Sequence, residues 1–130
     1  MSDLPSPSGE GRILVVDDEP HIRRVLTAVL TGYGYEVMTA KDGLEGLAVL
    51  QEAVVDLVIL DFMMPGANGL EILAKIRSDP VRSKTPVIIL TAKGQDTDRE
   101  AALAGGADDF LTKPFSPKKL LARIQEIIDG

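Results

Sequence analysis

Asp61 ends a buried-looking apolar run in the stretch VDLVILDFMMPGANG, residues 55–69, and a Pro-Gly turn segment follows almost at once. Three other apolar runs end in comparable chemistry. Asp17 and Asp18 close ILVV, Thr91 closes VIIL, and Lys113 follows FLT. If these side chains meet, Asp61 is suited to accept a phosphoryl group, because carboxylates act as nucleophiles in forming aspartyl phosphates. Phosphoryl transfer asks the protein mainly to position groups and to neutralise charge on the equatorial oxygens, which Lys113 and the Thr91 hydroxyl could share. With an ordinary carboxylate pKa, Asp61 would be ionised near neutral pH and need no separate base. Three neighbouring carboxylates repel: a pair ~4 Å apart costs roughly 4 kcal/mol at an effective dielectric near 20. A cation must relieve this. Lys113 is one candidate, and a hard divalent ion such as Mg²⁺, which takes carboxylates, carbonyls, waters and phosphate oxygens, is the other. Taken singly, each residue has a plainer reading: a strand-end turn with Asp18 capping a helix, a solvated lysine, a strand terminus. Only their joint placement at strand ends favours a site.

The elements that would place them follow from periodicity and breakers. RILVVD (about 12–17) reads as a strand, and Pro20 opens a helix to about 31, with Ile22, Val25, Leu26, Val29 and Leu30 at helical spacing. YEVMTA (35–40) alternates as a strand does, and Asp42 caps a helix to about 52 whose predicted inward stripe is Leu44, Leu47, Ala48 and Leu50. Asp56–Asp61 is a strand buried on both faces, and GLEILAKIRS a third helix turning Leu70, Ile72, Leu73 and Ile76 inward. PVIILTA (86–92) is a further buried strand, and Asp96 or Thr97 caps a fourth helix that Gly105 and Gly106 close. DDFLT (108–112) is a short strand. Ser116 and Pro117 then start a last helix with Leu120, Leu121, Ile124, Ile127 and Ile128 on its apolar side. Five strands alternating with five helices predict an α/β fold: a (βα)5 doubly wound, five-stranded parallel sheet with helices on both faces. Spacing does not fix the strand order, but the flavodoxin-like order 2-1-3-4-5 is the common solution at this size. All carboxyl ends of a parallel sheet lie on one side, so Asp17, Asp18, Asp61, Thr91 and Lys113 share the rim where such sheets bind ligands.

The 130-residue length suits one domain. Residues 1–11, rich in Pro, Gly and Ser, read as a flexible tail, and 12–130 as the domain. The absence of cysteine removes disulfides, thiol nucleophiles and thiolate metal sites and fits a reducing compartment. With apolar runs far short of ~20 residues and no signal pattern, a cytoplasmic location is expected, with no membrane attachment. Acidic residues outnumber basic ones 20 to 14, which argues against direct nucleic-acid binding.

The motifs ILVVDDEP, VILDFMMPGANG, IILTA and FLTKPF, in that order, resemble the receiver domain of two-component response regulators from about Arg12 to Ile128. The resemblance implies that Asp61 is the phosphoacceptor and that Asp18, Asp17 through water, and the Met63 backbone carbonyl hold Mg²⁺. It implies that Thr91 and Lys113 contact the phosphoryl group and that the Lys113-Pro114 bond is cis. The donor would be a phosphohistidine on a sensor histidine kinase or histidine phosphotransfer protein. The phosphoryl group would then be lost to water, making the domain a timed switch and no multiple-turnover enzyme. Thr91 and Phe110 would move on phosphorylation and alter the surface of the fourth helix, fifth strand and fifth helix, read by a downstream protein or an attached effector domain. Met63 and Lys93 are candidates for tuning the rate, with a bulky Met63 slowing the attacking water. His21, Arg23 and Arg24 fall on the helix that docks partners in this family. Asp109 and Arg123 fit a charge pair that crosses dimers of some regulators, whereas Arg99 and Lys119 would oppose two cations, so a monomer or weak dimer is expected.

Two functions of other classes compete. A haloacid-dehalogenase-type phosphatase would use Asp61 as nucleophile, but it wants a second Asp where Met63 stands. A degenerate receiver serving only as an interaction module would not need the full set of Asp17, Asp18, Asp61, Thr91 and Lys113. A flavodoxin is weaker still, since no phosphate-binding loop follows the first strand and its acidic end would repel a phosphate.

Overall fold

The computed structural model describes residues 11–64, 68–92 and 96–129, without the side chains of 92, 96–98 and 129. Residues 1–10 of the predicted tail, the Pro65-Gly66 turn, Lys93, the side chains of Asp96 and Thr97, and Gly130 therefore lie outside the described residues, whereas Gly11, assigned to the tail, is buried and its carbonyl accepts the Glu36 N–H at 2.9 Å. In chain order the elements are β1 (Arg12–Val16), α1 (Pro20–Gly32), β2 (Glu36–Ala40), α2 (Gly43–Glu52), β3 (Leu57–Asp61), α3 (Gly69–Ser78), β4 (Val87–Ala92), α4 (Asp96–Ala104), β5 (Asp109–Lys113) and α5 (Pro117–Asp129). The strands form one sheet in the order β2-β1-β3-β4-β5, every adjacent pair parallel.

Strand alternation divides the apolar side chains between two cores. Leu14, Val16, Val58, Leu60, Val87 and Ile89 pack on one face with Leu50 of α2, Ile72, Leu73 and Ile76 of α3, and Ala102 of α4. Ile13, Val15, Leu57, Ile59, Ile88 and Leu90 pack on the other with Leu26 and Leu30 of α1 and Leu120, Leu121 and Ile124 of α5. Being covered on both faces is why β1, β3 and β4 are written as continuous apolar runs. The edge strands β2 and β5 are only partly buried.

The predicted stripe of α2 needs correction. Leu44 is 72% exposed and Ala48 is exposed, while Gly43, Gly46 and Leu50 face inward. The helix lies so close to β1 that a Cβ on Gly46 would stand 2.9 Å from Val16 Cγ2. Glycine thus makes part of the contact that an apolar stripe usually makes: Leu50 and, in part, Leu47 pack on the core as predicted, while Leu44 and Ala48 do not. At α4 only Gly106, not Gly105, takes a positive φ. Arg123 pairs with Asp109 and Glu126 of its own chain. The charges considered for a dimer contact are thus joined across β5 and α5.

At the amino-terminal edge of the sheet, Arg77 from α3 donates to the carbonyls of Ser83, Thr85 and Gly106 and to the Asp108 carboxylate. Asp108 also accepts from Val87 N–H. One guanidinium thereby ties the loops before β4 and β5 to α3, and it uses the planar fork of donors that lysine lacks.

Candidate functional site

β1 delivers Asp17 to the carboxyl edge of the sheet, and the Asp17 N–H bonds to the Ala40 carbonyl at the end of β2. Asp17 is fully buried. Its Oδ1 accepts the Glu19 N–H at 2.9 Å, and its carbonyl accepts Arg23 Nη1 at 2.6 Å. Asp61, the last residue of β3, is 5% exposed. The chain after it is held by Phe62 N–H to Leu90 O, and by Gly69 N–H to Phe62 O at 2.7 Å. Gly69 opens α3 directly against this turn: a Cβ there would meet Asp61 O at 2.8 Å and Phe62 Cα at 2.9 Å. The site thus needs a residue without a side chain at the start of α3.

Carboxylate oxygens of Asp17, Asp18 and Asp61 lie within 4.8 Å of one another. Lys113 Nζ enters from the end of β5 and stands 2.9 Å from Glu19 Oε1, 3.0 Å from Asp17 Oδ2 and 3.4 Å from Asp61 Oδ1. The Lys113-Pro114 bond is cis, as expected. Thr91 is 2% exposed, and its hydroxyl donates to Leu111 O at 3.5 Å, the long limit for such a bond. Register places it beside the cluster, since Asp61 pairs with Leu90 and Ala92 with Lys113. Phe110 is half-buried against the α2–α3–α4 core, with the Arg99 guanidinium 4.7 Å from its ring centre. Arg99, considered above as a dimer-face cation, is exposed and lies over this aromatic ring. Met63 follows Asp61 by two residues with its side chain 64% exposed.

The electrostatics revise one expectation. Burial, and then the charge of Asp17, push the Asp61 carboxyl up to about 7, against the opposing pull of Lys113. At neutral pH the chain's own residues leave Asp61 only about half ionised. Burial alone would lower the Lys113 ammonium, but Glu19, Asp17 and Asp61 together hold it well above its ordinary value. One ammonium contacts three carboxylates, and among the described residues no donor meets Asp17 Oδ2 in hydrogen-bonding geometry apart from its ion-pair contact with Lys113. A compact all-oxygen set with an undersatisfied buried oxygen fits a hard divalent cation.

Two residues near the site carry roles that sequence reasoning missed. Glu19 contacts Lys113 as closely as any other group does, and the third acid in DDE was its only trace. Arg23, read as a surface recognition residue, turns inward to the Asp17 carbonyl, while His21 and Arg24 are exposed.

Residues 13–125 match the response regulator receiver domain family. The chain belongs to that family. It is 44% identical over 114 residues to the DNA-binding response regulator MtrA of Mycolicibacterium smegmatis, covering 88% of this chain and 49% of that protein. A response regulator of Chloroflexus aurantiacus J-10-fl superposes with a TM-score of 0.89 at 34% identity, over 92% of this chain and 98% of that one. The chemotaxis response regulator CheY4 of Vibrio cholerae superposes at 0.84 with 37% identity, over 90% and 98%. The chain spans about half the length of the curated relatives it matches. As a receiver domain it has a place in two-component signal transduction.

Proposed function

We propose that this receiver accepts a phosphoryl group on Asp61 from a phosphohistidine of a sensor histidine kinase or phosphotransfer protein. The observation that carries the reading is the convergence at the carboxyl edge of the sheet of Asp17, Asp18 and Asp61, with oxygens within 4.8 Å of one another, and of Lys113, which contacts Asp17 and Asp61. In the transfer, an Asp61 Oδ forms the P–O bond as the P–N bond breaks, and the imidazole nitrogen keeps the electron pair. Lys113 neutralises a phosphoryl oxygen. The Thr91 hydroxyl, whose one bond among the described residues is the long one to Leu111 O, can turn to another. Asp17, Asp18, Asp61 and the Met63 carbonyl would hold Mg²⁺, which when bound supplies positive charge to the acceptor and the phosphoryl oxygens. Water later attacks phosphorus, releasing inorganic phosphate and restoring the carboxylate. The domain is therefore a self-resetting switch without turnover on a separate substrate. The exposed Met63 side chain, two residues after Asp61, is one candidate for hindering that water and setting the lifetime, and Lys93 is a second.

Strand alternation puts Thr91 and Phe110 toward the same side of the sheet, in paired strands where Ile89 lies opposite Phe110. A turn of Thr91 toward the phosphoryl group opens space on that side for Phe110, changing the surface of α4, β5 and α5. Phe110 has no hydroxyl, so this response rests on packing alone. The output partner is a downstream protein or an attached effector domain. The acidic chain itself takes no direct hold on nucleic acid, and it acts as a monomer or weak dimer. We place the protein in the cytoplasm, where kinase phosphohistidines are presented. Among the described residues no helix is long and apolar enough to cross a membrane.

Incubating the chain with a small phosphodonor and Mg²⁺ and weighing the intact protein tests the reading. One added phosphoryl group, lost in Asp61→Asn and on chelation, is expected. Equal labelling of Asp61→Asn would refute it.

A further inference from the structure

We propose that Glu19 is a positioning residue for Lys113, competing with the incoming phosphoryl oxygens for its ammonium. The inference rests on the reading of Asp61 as phosphoacceptor. Lys113 Nζ makes its shortest contact with Glu19 Oε1, at 2.9 Å, and its longest with Asp61 Oδ1, at 3.4 Å. The ammonium thus sits closer to Glu19 than to the group it is to serve. Glu19 stands at the N-cap of α1 without using its side chain as a cap. Its N–H is bound by Asp17 Oδ1, and its carbonyl accepts Arg23 N–H at 3.2 Å. Its backbone is therefore fixed from both sides, and the carboxylate is committed to Lys113.

The three contacts are unequal in what breaking them costs. The Asp17 and Asp61 side chains are 0% and 7% exposed, and separating either from the ammonium leaves a buried charge unpaired. The Glu19 side chain is 56% exposed, so water can replace the lysine there at little cost. When a phosphoryl oxygen claims a donor from Lys113, the contact given up is the one with Glu19. Glu19 thereby weakens phosphoryl binding by the strength of a partly exposed ion pair, on the order of two- to fivefold in affinity.

Beryllofluoride, a phosphoryl mimic, tests this at saturating Mg²⁺ with bound fluoride followed by fluorine NMR. The readout suits a chain without tryptophan. Glu19→Gln is expected to bind the mimic about two- to fivefold more tightly. Glu19→Asp keeps the charge but falls short of Lys113, and it is expected to tighten binding similarly. In a Lys113→Met background, Glu19→Gln should change nothing, because the effect runs through the lysine. Unchanged or weaker binding in Glu19→Gln overturns the proposal. So does wild-type affinity in Glu19→Asp, or an effect that persists without Lys113. If Lys113→Met fails to fold, the two Glu19 variants decide alone. If the wild type binds no beryllofluoride, or Asp61→Asn binds it equally, the phosphoacceptor reading falls and takes this inference with it. Normal wild-type binding with no Glu19 effect removes this inference only.

Discussion

A buried carboxyl pushed up to about 7, as burial and Asp17 push that of Asp61, ties the stability of the domain to pH in an unusual direction. Asp61 moves from 3.8 in the unfolded chain to about 7 in the folded one, so the folded state holds an extra proton between those values. Stability is greatest below about pH 4 on this account and falls as pH rises towards 7, by at most about 4 kcal/mol. With a chelator present, Asp61→Asn should therefore be more stable than wild type at pH 8, by roughly 1–3 kcal/mol, with the gain vanishing near pH 4. Urea unfolding at the two pH values checks it, and an equal gain at both would contradict it. Mg²⁺ must displace the same proton, so its affinity should climb about tenfold per pH unit below 7 and level off above, as calorimetry would report. At this scale the sequence was legible where a side chain's placement follows from its position at a strand end, as for Asp17, Asp61 and Lys113. It was silent on Glu19 and read Arg23 as a recognition residue, because the contacts of both depend on where their side chains reach after α1 has docked.

Elements carry the site through close approaches that composition does not advertise. β1, β3 and β4 could be read because burial on both faces demands unbroken apolar runs. The inner face of α2 could be read only in part, because Gly46 makes some of its contact while Leu44 looks out to solvent. Gly69 offers the sharper test. A methyl group there meets backbone at Asp61 and Phe62, which has no rotamer by which to yield, so Gly69→Ala should cost roughly 1–3 kcal/mol and weaken Mg²⁺ binding by displacing Asp61. Gly32, the last residue of α1, has nothing within 4 Å of its would-be Cβ. Gly32→Ala should instead stabilise the fold by about 0.5–1 kcal/mol and leave the site untouched. Thermal melts of the two variants, each with and without Mg²⁺, separate the cases. If Gly69→Ala binds Mg²⁺ as tightly as wild type, α3 does not position the acceptor.

Across the whole molecule, the topology expected from alternating elements is the topology found, and it gathers residues from β1, β3 and β5 on one rim. Mg²⁺ binding to that rim should stabilise the native state by about 2.7 kcal/mol at a hundredfold excess over its dissociation constant. Asp17→Asn should lose most of this increment, as a shift in melting temperature would show. The two cores, one on each side of a shared sheet, impose a further rule. Leu57 and Ile59 serve one core, Val58 and Leu60 the other, and Asp61 arrives at the rim after a fixed count. Its placement is a matter of parity. One residue inserted into β3 would exchange the two cores and turn the carboxylate to the opposite face. Two would restore the face but carry the carboxylate about 7 Å beyond Lys113. Odd errors in strand length fail by direction and even ones by distance, so the placement of Asp61 tolerates changes of residue within β3 far better than changes of length.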